Sequence, residues 1–173
     1  MPVRMSSRLL PFVLVIIATR LHGQGQPGRR AGLSAQIAAS RAAIREVDQL
    51  VAKGRLVRRH TTFTCPHEPG AEQVSFNTDS LGRVRLFRLE GGSDDTAEQW
   101  SFYYDGRGAL RAARAHRGAV NGTEQLEEVL YDTAAVTLQR IRRLLKGPGF
   151  PWDTLETIRD PRAWLQGACN PRM

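Results

Sequence analysis

The sequence predicts an α+β fold in which an N-terminal amphipathic helix packs on an antiparallel meander of six to seven strands, followed by a C-terminal helical segment. Apolar residues recur with a helical period between Leu33 and Gly54, and with a period of two in several later segments. Turn residues, chiefly Gly, Asp and Asn, separate those later segments. The 173 residues suffice for one domain with a hydrophobic core.

The first 25 residues are predicted to be a secretory signal peptide. Arg4 and Arg8 precede an apolar run from Leu9 to Ala18 that only Pro11 interrupts. This run is shorter than the ~20 residues that span a bilayer, so no stable membrane span is expected. We expect cleavage within residues 18–25, a linker over 26–32, a single domain over 33–173, and a secreted or periplasmic location.

The helix after the linker is predicted from one apolar face. Its members recur at steps of three, four and seven residues: Leu33, Ile37, Ile44, Val47 and Val51. Ser34 is a suitable N-cap and Gly54 a suitable stop signal, so the helix is expected between them.

Five segments alternate between apolar and polar residues and are predicted to be strands: VSFNTD, RVRLFRLE, EQWSFYYD, ALRAARAH and TEQLEEVLYD. The segment RLVRRHTTFTC, from Arg55, adds a further strand. In EQWSFYYD the alternation places Trp100, Phe102 and Tyr104 on one face and Tyr103 on the other. We expect the apolar face of the helix to pack on the Trp100 face.

Three aspartates suggest an internal repeat of strand, turn and strand. Asp79, Asp105 and Asp132 each follow a strand segment, at spacings of 26 and 27 residues. An Asp at this position accepts hydrogen bonds from the following backbone amides, and a nearby glycine supplies a positive φ. In YYDGRGALR, Asp105 and Gly106 are expected to form the turn, which leaves Tyr103 and Arg107 free to contact a partner.

The third unit is ambiguous between two structures. It lacks the glycine of the other two, and residues 133–146 fit a strand by the repeat but also fit a helix by the spacing of Ala134, Leu138, Ile141 and Leu145. The repeat favours a strand to about Arg142. Beyond the GPGFPW turn, short helical pieces are expected to pack on the sheet through Trp152, Leu155, Ile158, Trp164 and Leu165.

The Tyr-Asp-x-x-Gly-x-Leu pattern of residues 104–110 resembles YD-type repeats. Together with the related turns between Asp79 and Ile141, it is similar to the hairpins of small secreted bacterial β-meander proteins. The resemblance implies a sheet-built extracellular or periplasmic domain and brings no activity with it.

Cys65 and Cys169 are the only cysteines, and in an exported chain such a pair predicts a disulfide. The alternative is a thiol- or metal-dependent enzyme centred on Cys65 with His60 or His67. That alternative needs a free thiolate or about four metal ligands, and the CPHEPG motif offers neither if the disulfide forms. We therefore expect no catalytic residue, no metal site and no cofactor.

The charge pattern predicts a solvated surface rather than a nucleic-acid site. The basic residues are 23 Arg and two Lys, dispersed among 17 acidic residues, so nucleic acid is not expected as a partner. The predicted function is that of an exported, non-catalytic binding or interaction module that uses its sheet face or hairpin loops. Its ligand would be a protein, a polysaccharide or a small molecule, contacted by Arg83, Arg85, Arg88, Arg111, Arg114, Tyr103 and Arg107.

Overall fold

The computed structural model describes residues 27–64, 71–154 and 157–167. Two helices, α1 (Pro27–Ala52) and α2 (Pro161–Gly167), flank seven strands. The strands are β1 (Val57–Thr64), β2 (Ala71–Thr78), β3 (Val84–Ser93), β4 (Thr96–Tyr104), β5 (Leu110–Ala119), β6 (Glu124–Tyr131) and β7 (Thr137–Lys146).

The strands form one antiparallel sheet in the order β1-β2-β3-β4-β5-β6-β7, which confirms the predicted α+β meander with seven strands. The ambiguous segment after Asp132 is a strand, and it continues four residues beyond Arg142 to Lys146. It pairs with β6 along its length, from Thr137 opposite Tyr131 to Lys146 opposite Glu124. The backbone hydrogen bonds that β6 offers therefore make this segment a strand, although its own apolar residues also have helical spacing.

Helix α1 begins earlier than its sequence predicts and ends where expected. It starts at Pro27 rather than after Ser34, so Ser34 is not the cap and residues 27–32, assigned to a linker, are helical. Proline is favoured at the first helical position because its missing N–H would be unpaired there anyway. At the C-terminus, Gly54 has a φ of 61°, and the Arg55 amide donates to the Leu50 carbonyl at 2.9 Å. This is a Schellman cap, which confirms the predicted stop at Gly54.

The helix packs on the face opposite to the predicted one. Ile44 and Val47 contact a strip of side chains that lie side by side on four adjacent strands: Leu86, Tyr103, Ala112 and Leu130. Tyr103, expected to be free, is buried under the helix. The Trp100, Phe102 and Tyr104 face is instead covered by the C-terminal segment through Ile158, Trp164 and Leu165. Both faces of the sheet are therefore covered over part of their area, because each carries an apolar strip.

The three aspartate turns share one hydrogen-bond pattern. In each turn Oδ1 of Asp79, Asp105 or Asp132 accepts from the amides two and four residues later, at 2.8 to 3.1 Å. The residue three positions after the aspartate has a positive φ: Gly82 at 73°, Gly108 at 86° and Ala135 at 59°. Ala135 thus adopts in the third turn the conformation that glycine adopts in the other two. In the middle turn Gly106 lies within the turn, as expected, and the left-handed residue is Gly108.

Replacing Gly108 with alanine is expected to lower the free energy of unfolding by about 1–2 kcal/mol, because a Cβ is disfavoured at positive φ. A Cβ at Gly108 meets no atom within 4 Å, so this cost is purely conformational. Gly106→Ala is the control: its Cβ also meets nothing within 4 Å and its φ is not positive, so a change within roughly 0.5 kcal/mol is expected. Urea denaturation measures both, and equal losses in the two variants would contradict the assignment.

Burial raises the pKa of all three tyrosines of the chain, Tyr103, Tyr104 and Tyr131. In the unfolded chain they ionise near pH 10, whereas the folded chain retains their protons above that pH. Stability is therefore independent of these groups below about pH 10 and falls above it, by up to about 1.4 kcal/mol per pH unit for each tyrosine. Urea denaturation between about pH 8 and 11 should show this decline, and Tyr104→Phe should make it shallower. Phenolate absorbance rising near pH 10 while the fold stays intact would contradict the prediction.

Candidate functional site

Helix α1 covers only one end of the sheet face on which it packs. Beyond the strip that it buries, two further rows of side chains run across strands β3 to β7 in register. The nearer row consists of Arg88, Ser101, Arg114, Glu128 and Ile141. The farther row consists of Glu90, Gln99, His116, Leu126 and Arg143. We call these two rows the open half-face.

The open half-face contains a groove of about 520 Å³, in the range of small-ligand sites. Leu126, 40 % exposed, and Ile141 give its floor an apolar part. Ser101, Gln99 and His116 add groups that donate or accept hydrogen bonds. The groove therefore combines apolar contact with polar recognition.

Arg114 is the most constrained cation of this groove. Its Nη2 lies 2.8 Å from Oε2 of Glu128, and its guanidinium carbon lies 5.5 Å from the centroid of the Tyr103 ring. Burial opposes its charge, but the interactions with Glu128 and Tyr103 together outweigh burial, so the pKa of Arg114 is raised. Arg114 is thus held in place by its neighbours.

Arg88 and Arg143 differ from Arg114, because neither forms an ion pair within the described part of the chain. Arg88 is half-buried beside Ser101, and Arg143 is exposed opposite Leu126. Their charges are available to a ligand.

Of the seven residues predicted to bind a partner, the structure brings only Arg88 and Arg114 onto the open half-face. Arg85 and Arg111 are buried beneath helix α1. Nη2 of Arg85 lies 2.7 Å from Oε1 of Glu46 on the helix, and Nη2 of Arg111 donates to Oγ of Ser40 at 3.3 Å. Their burial corrects the expectation that they are free to bind a partner.

The remaining predicted residues lie away from this groove or are covered. Arg83 and Arg107 belong to the aspartate turns at the far end of the sheet, where Arg83 pairs with Asp79 at 2.8 Å and Arg107 is exposed. Tyr103 reaches the edge of the groove, although most of its side chain lies under the helix. The seven residues therefore do not form one patch.

Sequence reasoning missed the ionic cluster on the opposite face. Arg117 is only 1 % exposed, and its guanidinium lies between two indole rings, 5.8 Å from the centroid of Trp100 and 5.6 Å from that of Trp152. Its Nε lies 3.0 Å from Oε2 of Glu98, and its Nη1 donates to the Asp153 carbonyl at 2.9 Å. In sequence nothing separates Arg117 from Arg111 and Arg114 of the same strand, and only the register opposite Glu98 distinguishes it.

Glu127, 2 % exposed, is the carboxylate at the centre of this cluster. It lies 3.4 Å from Nη1 of Arg117, 3.1 Å from Nη1 of Arg140 and 3.3 Å from Nε of Arg142. The adjacent Glu128 points to the other face and pairs with Arg114. The two neighbouring glutamates therefore do not share a proton, as the strand alternation predicts.

The alternative thiol or metal site falls mainly outside the described residues. Cys65, His67 and Cys169 lie there, and His60 is exposed on β1. Within residues 27–64, 71–154 and 157–167, no three His, Cys, Asp or Glu side chains are placed to hold a metal ion.

Neither of the two described helices has the length and apolar character needed to cross a membrane. Comparisons of this chain with protein-family models, with curated proteins and with solved structures found no match.

Proposed function

We propose that the chain is an exported, non-catalytic binding module whose open half-face holds a ligand that carries carboxylates. The observation that carries this proposal is the groove of about 520 Å³ with two arginines that form no ion pair among the described residues. Arg143 lines the groove, and Arg88 lies next to it, opposite Ser101. An unpaired cation beside a partly apolar floor favours an anionic group with an apolar neighbour. Export is supported by the layout of the first 25 residues.

The geometry supports binding in a second way, because the groove is preorganised. Its floor is a hydrogen-bonded sheet, and Arg114 is fixed between Glu128 and Tyr103. A rigid site loses little conformational entropy when a ligand binds. The ligand is therefore expected to find the site already formed.

The test uses two fluorescent probes, a labelled oligogalacturonate and a labelled poly-glutamate peptide, in polarisation titrations at low salt. Binding of at least one probe is expected, and the double variant Arg88→Gln/Arg143→Gln should weaken it roughly fivefold to tenfold. The matched control is Arg58→Gln/Arg107→Gln, which removes two exposed arginines elsewhere and changes the net charge equally. It should change the affinity less than about twofold. Equal losses in both variants, or no binding of either probe, would refute the proposal.

The proposed Cys65–Cys169 disulfide separates this function from the thiol-enzyme alternative. The native protein is expected to show a mass lower by two hydrogens and to take up no thiol label. Closing a loop of ~100 residues contributes up to ~4–5 kcal/mol on the chain-entropy model, so reductant should lower the midpoint of urea denaturation. A labelled thiol in the native protein would instead support the enzyme centred on Cys65.

A further inference from the structure

The face opposite to helix α1 contains a second concavity, the aromatic cleft. It has a volume of about 390 Å³ and lies between the β3–β4 hairpin and residues 150–153. Trp100 on the sheet and Phe150 and Trp152 on the loop provide its aromatic surface. The ring centroids of Phe150 and Trp152 lie 4.6 Å apart. The cleft thus presents several aromatic rings to one small volume.

The charges that line this cleft are of one sign and opposite to the charge of the chain. Asp95, Glu98 and Asp153 line it, and no Arg or Lys of the described residues does, although the chain has 25 basic and 17 acidic residues. Glu98 is engaged with Arg117, but Asp95 and Asp153 form no ion pair among the described residues. Two carboxylates are therefore uncompensated at the mouth of an aromatic cleft.

Aromatic faces and carboxylates together attract organic cations. A ring attracts a cation within about 6 Å of its centroid, and quaternary ammonium groups are recognised in this way. Two of these rings already contact a cation of the chain itself, because Arg117 lies over Trp100 and Trp152. The rings are thus used for cation recognition within the fold.

The walls of the cleft are held in position without a ligand. The hydrogen bond from Arg117 to the Asp153 carbonyl fastens the loop of Phe150 and Trp152 to the sheet. On the other side, Gly92 has a φ of 153°, and a Cβ there would collide with the backbone of Thr96. The hairpin wall therefore requires glycine at this position.

We propose that the aromatic cleft binds an organic cation, an ammonium or quaternary ammonium group with apolar substituents. The proposal is independent of the proposed function, because the cleft lies on the other face of the sheet and has the opposite charge. The cation belongs either to a free amine or to a lysine side chain of a peptide, which offer the same chemistry.

Titrations with choline and with Nα-acetyl-lysine methylamide, which keeps the charged ε-ammonium group, test this site and distinguish the two sources. Calorimetry and tryptophan fluorescence measure the binding. At least one cation is expected to bind, and 3,3-dimethylbutan-1-ol, the neutral isostere of choline, should bind at least tenfold more weakly. Salt should weaken cation binding but leave the isostere unaffected.

The double variant Asp95→Asn/Asp153→Asn should weaken cation binding roughly tenfold, since two carboxylates near the cation are removed. Asp94→Asn is the matched control, because Asp94 is exposed in the same hairpin but does not line the cleft. The Asp94→Asn variant should bind the cation with the same affinity as the parent protein. The proposal is overturned if neither cation binds, if the neutral isostere binds equally well, or if the double variant behaves like Asp94→Asn.

Discussion

Replacing Glu127 with glutamine is expected to lower the free energy of unfolding by about 3–5 kcal/mol, the loss typical of removing one partner from a buried ion pair. Glu127 is 2 % exposed and pairs with three arginines, Arg117, Arg140 and Arg142. Glutamine keeps the size of the side chain but removes the charge, so among the described residues buried Arg117 retains only Glu98 as an ionic partner. Most of the cost is the desolvation of a buried cation that has lost its compensating charge.

The adjacent Glu128 provides the matched control. It pairs with Arg114 on the half-exposed opposite face, and exposed pairs contribute about 0–1 kcal/mol. Glu128→Gln should therefore lower stability by less than about 1 kcal/mol. Urea denaturation at neutral pH measures both variants, and losses of similar size would show that the cluster around Glu127 is not the dominant ionic element of the fold.

Replacing Phe87 with alanine is expected to lower the free energy of unfolding by about 3–5 kcal/mol, because it removes a large aromatic side chain from a packed core. Phe87 is fully buried, and its ring centroid lies 5.0 Å from that of Phe76 and 5.9 Å from that of Phe102. It also contacts Trp164 of α2 edge-on at 5.7 Å. The variant loses both area removed from water and the contacts around the resulting cavity.

Tryptophan fluorescence adds a second measurement for Phe87→Ala, because loss of the Phe87 ring should leave Trp164 more exposed to solvent. Leu81→Ala is the control, since Leu81 is 73 % exposed in a turn and should change stability by no more than about 0.5 kcal/mol. A stable Phe87→Ala variant with unchanged fluorescence would contradict the assignment of Phe87 to the centre of this core.

Most elements of the fold are predictable from the sequence because their causes are local. Strand alternation and turn residues depend on neighbours within a few positions, so the meander and the hydrogen bonds of Asp79, Asp105 and Asp132 follow from short segments. The predicted start of helix α1, after Ser34, was wrong by eight residues, since helix ends depend on weak preferences. Ala135 shows a further limit, because its left-handed conformation is imposed by the hairpin and not by its residue type.

The site was only partly predictable. Arg88 and Arg114 are on the open half-face, as the arginine-lined strands suggest, but Arg85 and Arg111 have the same residue type and are buried under the helix. Nothing in the local sequence separates these two pairs. Their difference depends on where the helix lies across the sheet.

The sequence by itself predicted an antiparallel meander of six to seven strands and the aspartate turns between them, because periodicity and turn chemistry act over a few residues. Only the tertiary structure decided which face each helix covers. The strip of Leu86, Tyr103, Ala112 and Leu130 exists only when four strands are in register, and β4 alone gives Tyr103 no apolar neighbours on its face. The same registers create the open half-face and place Arg117 between two tryptophans, because side chains that meet across strands are far apart along the chain.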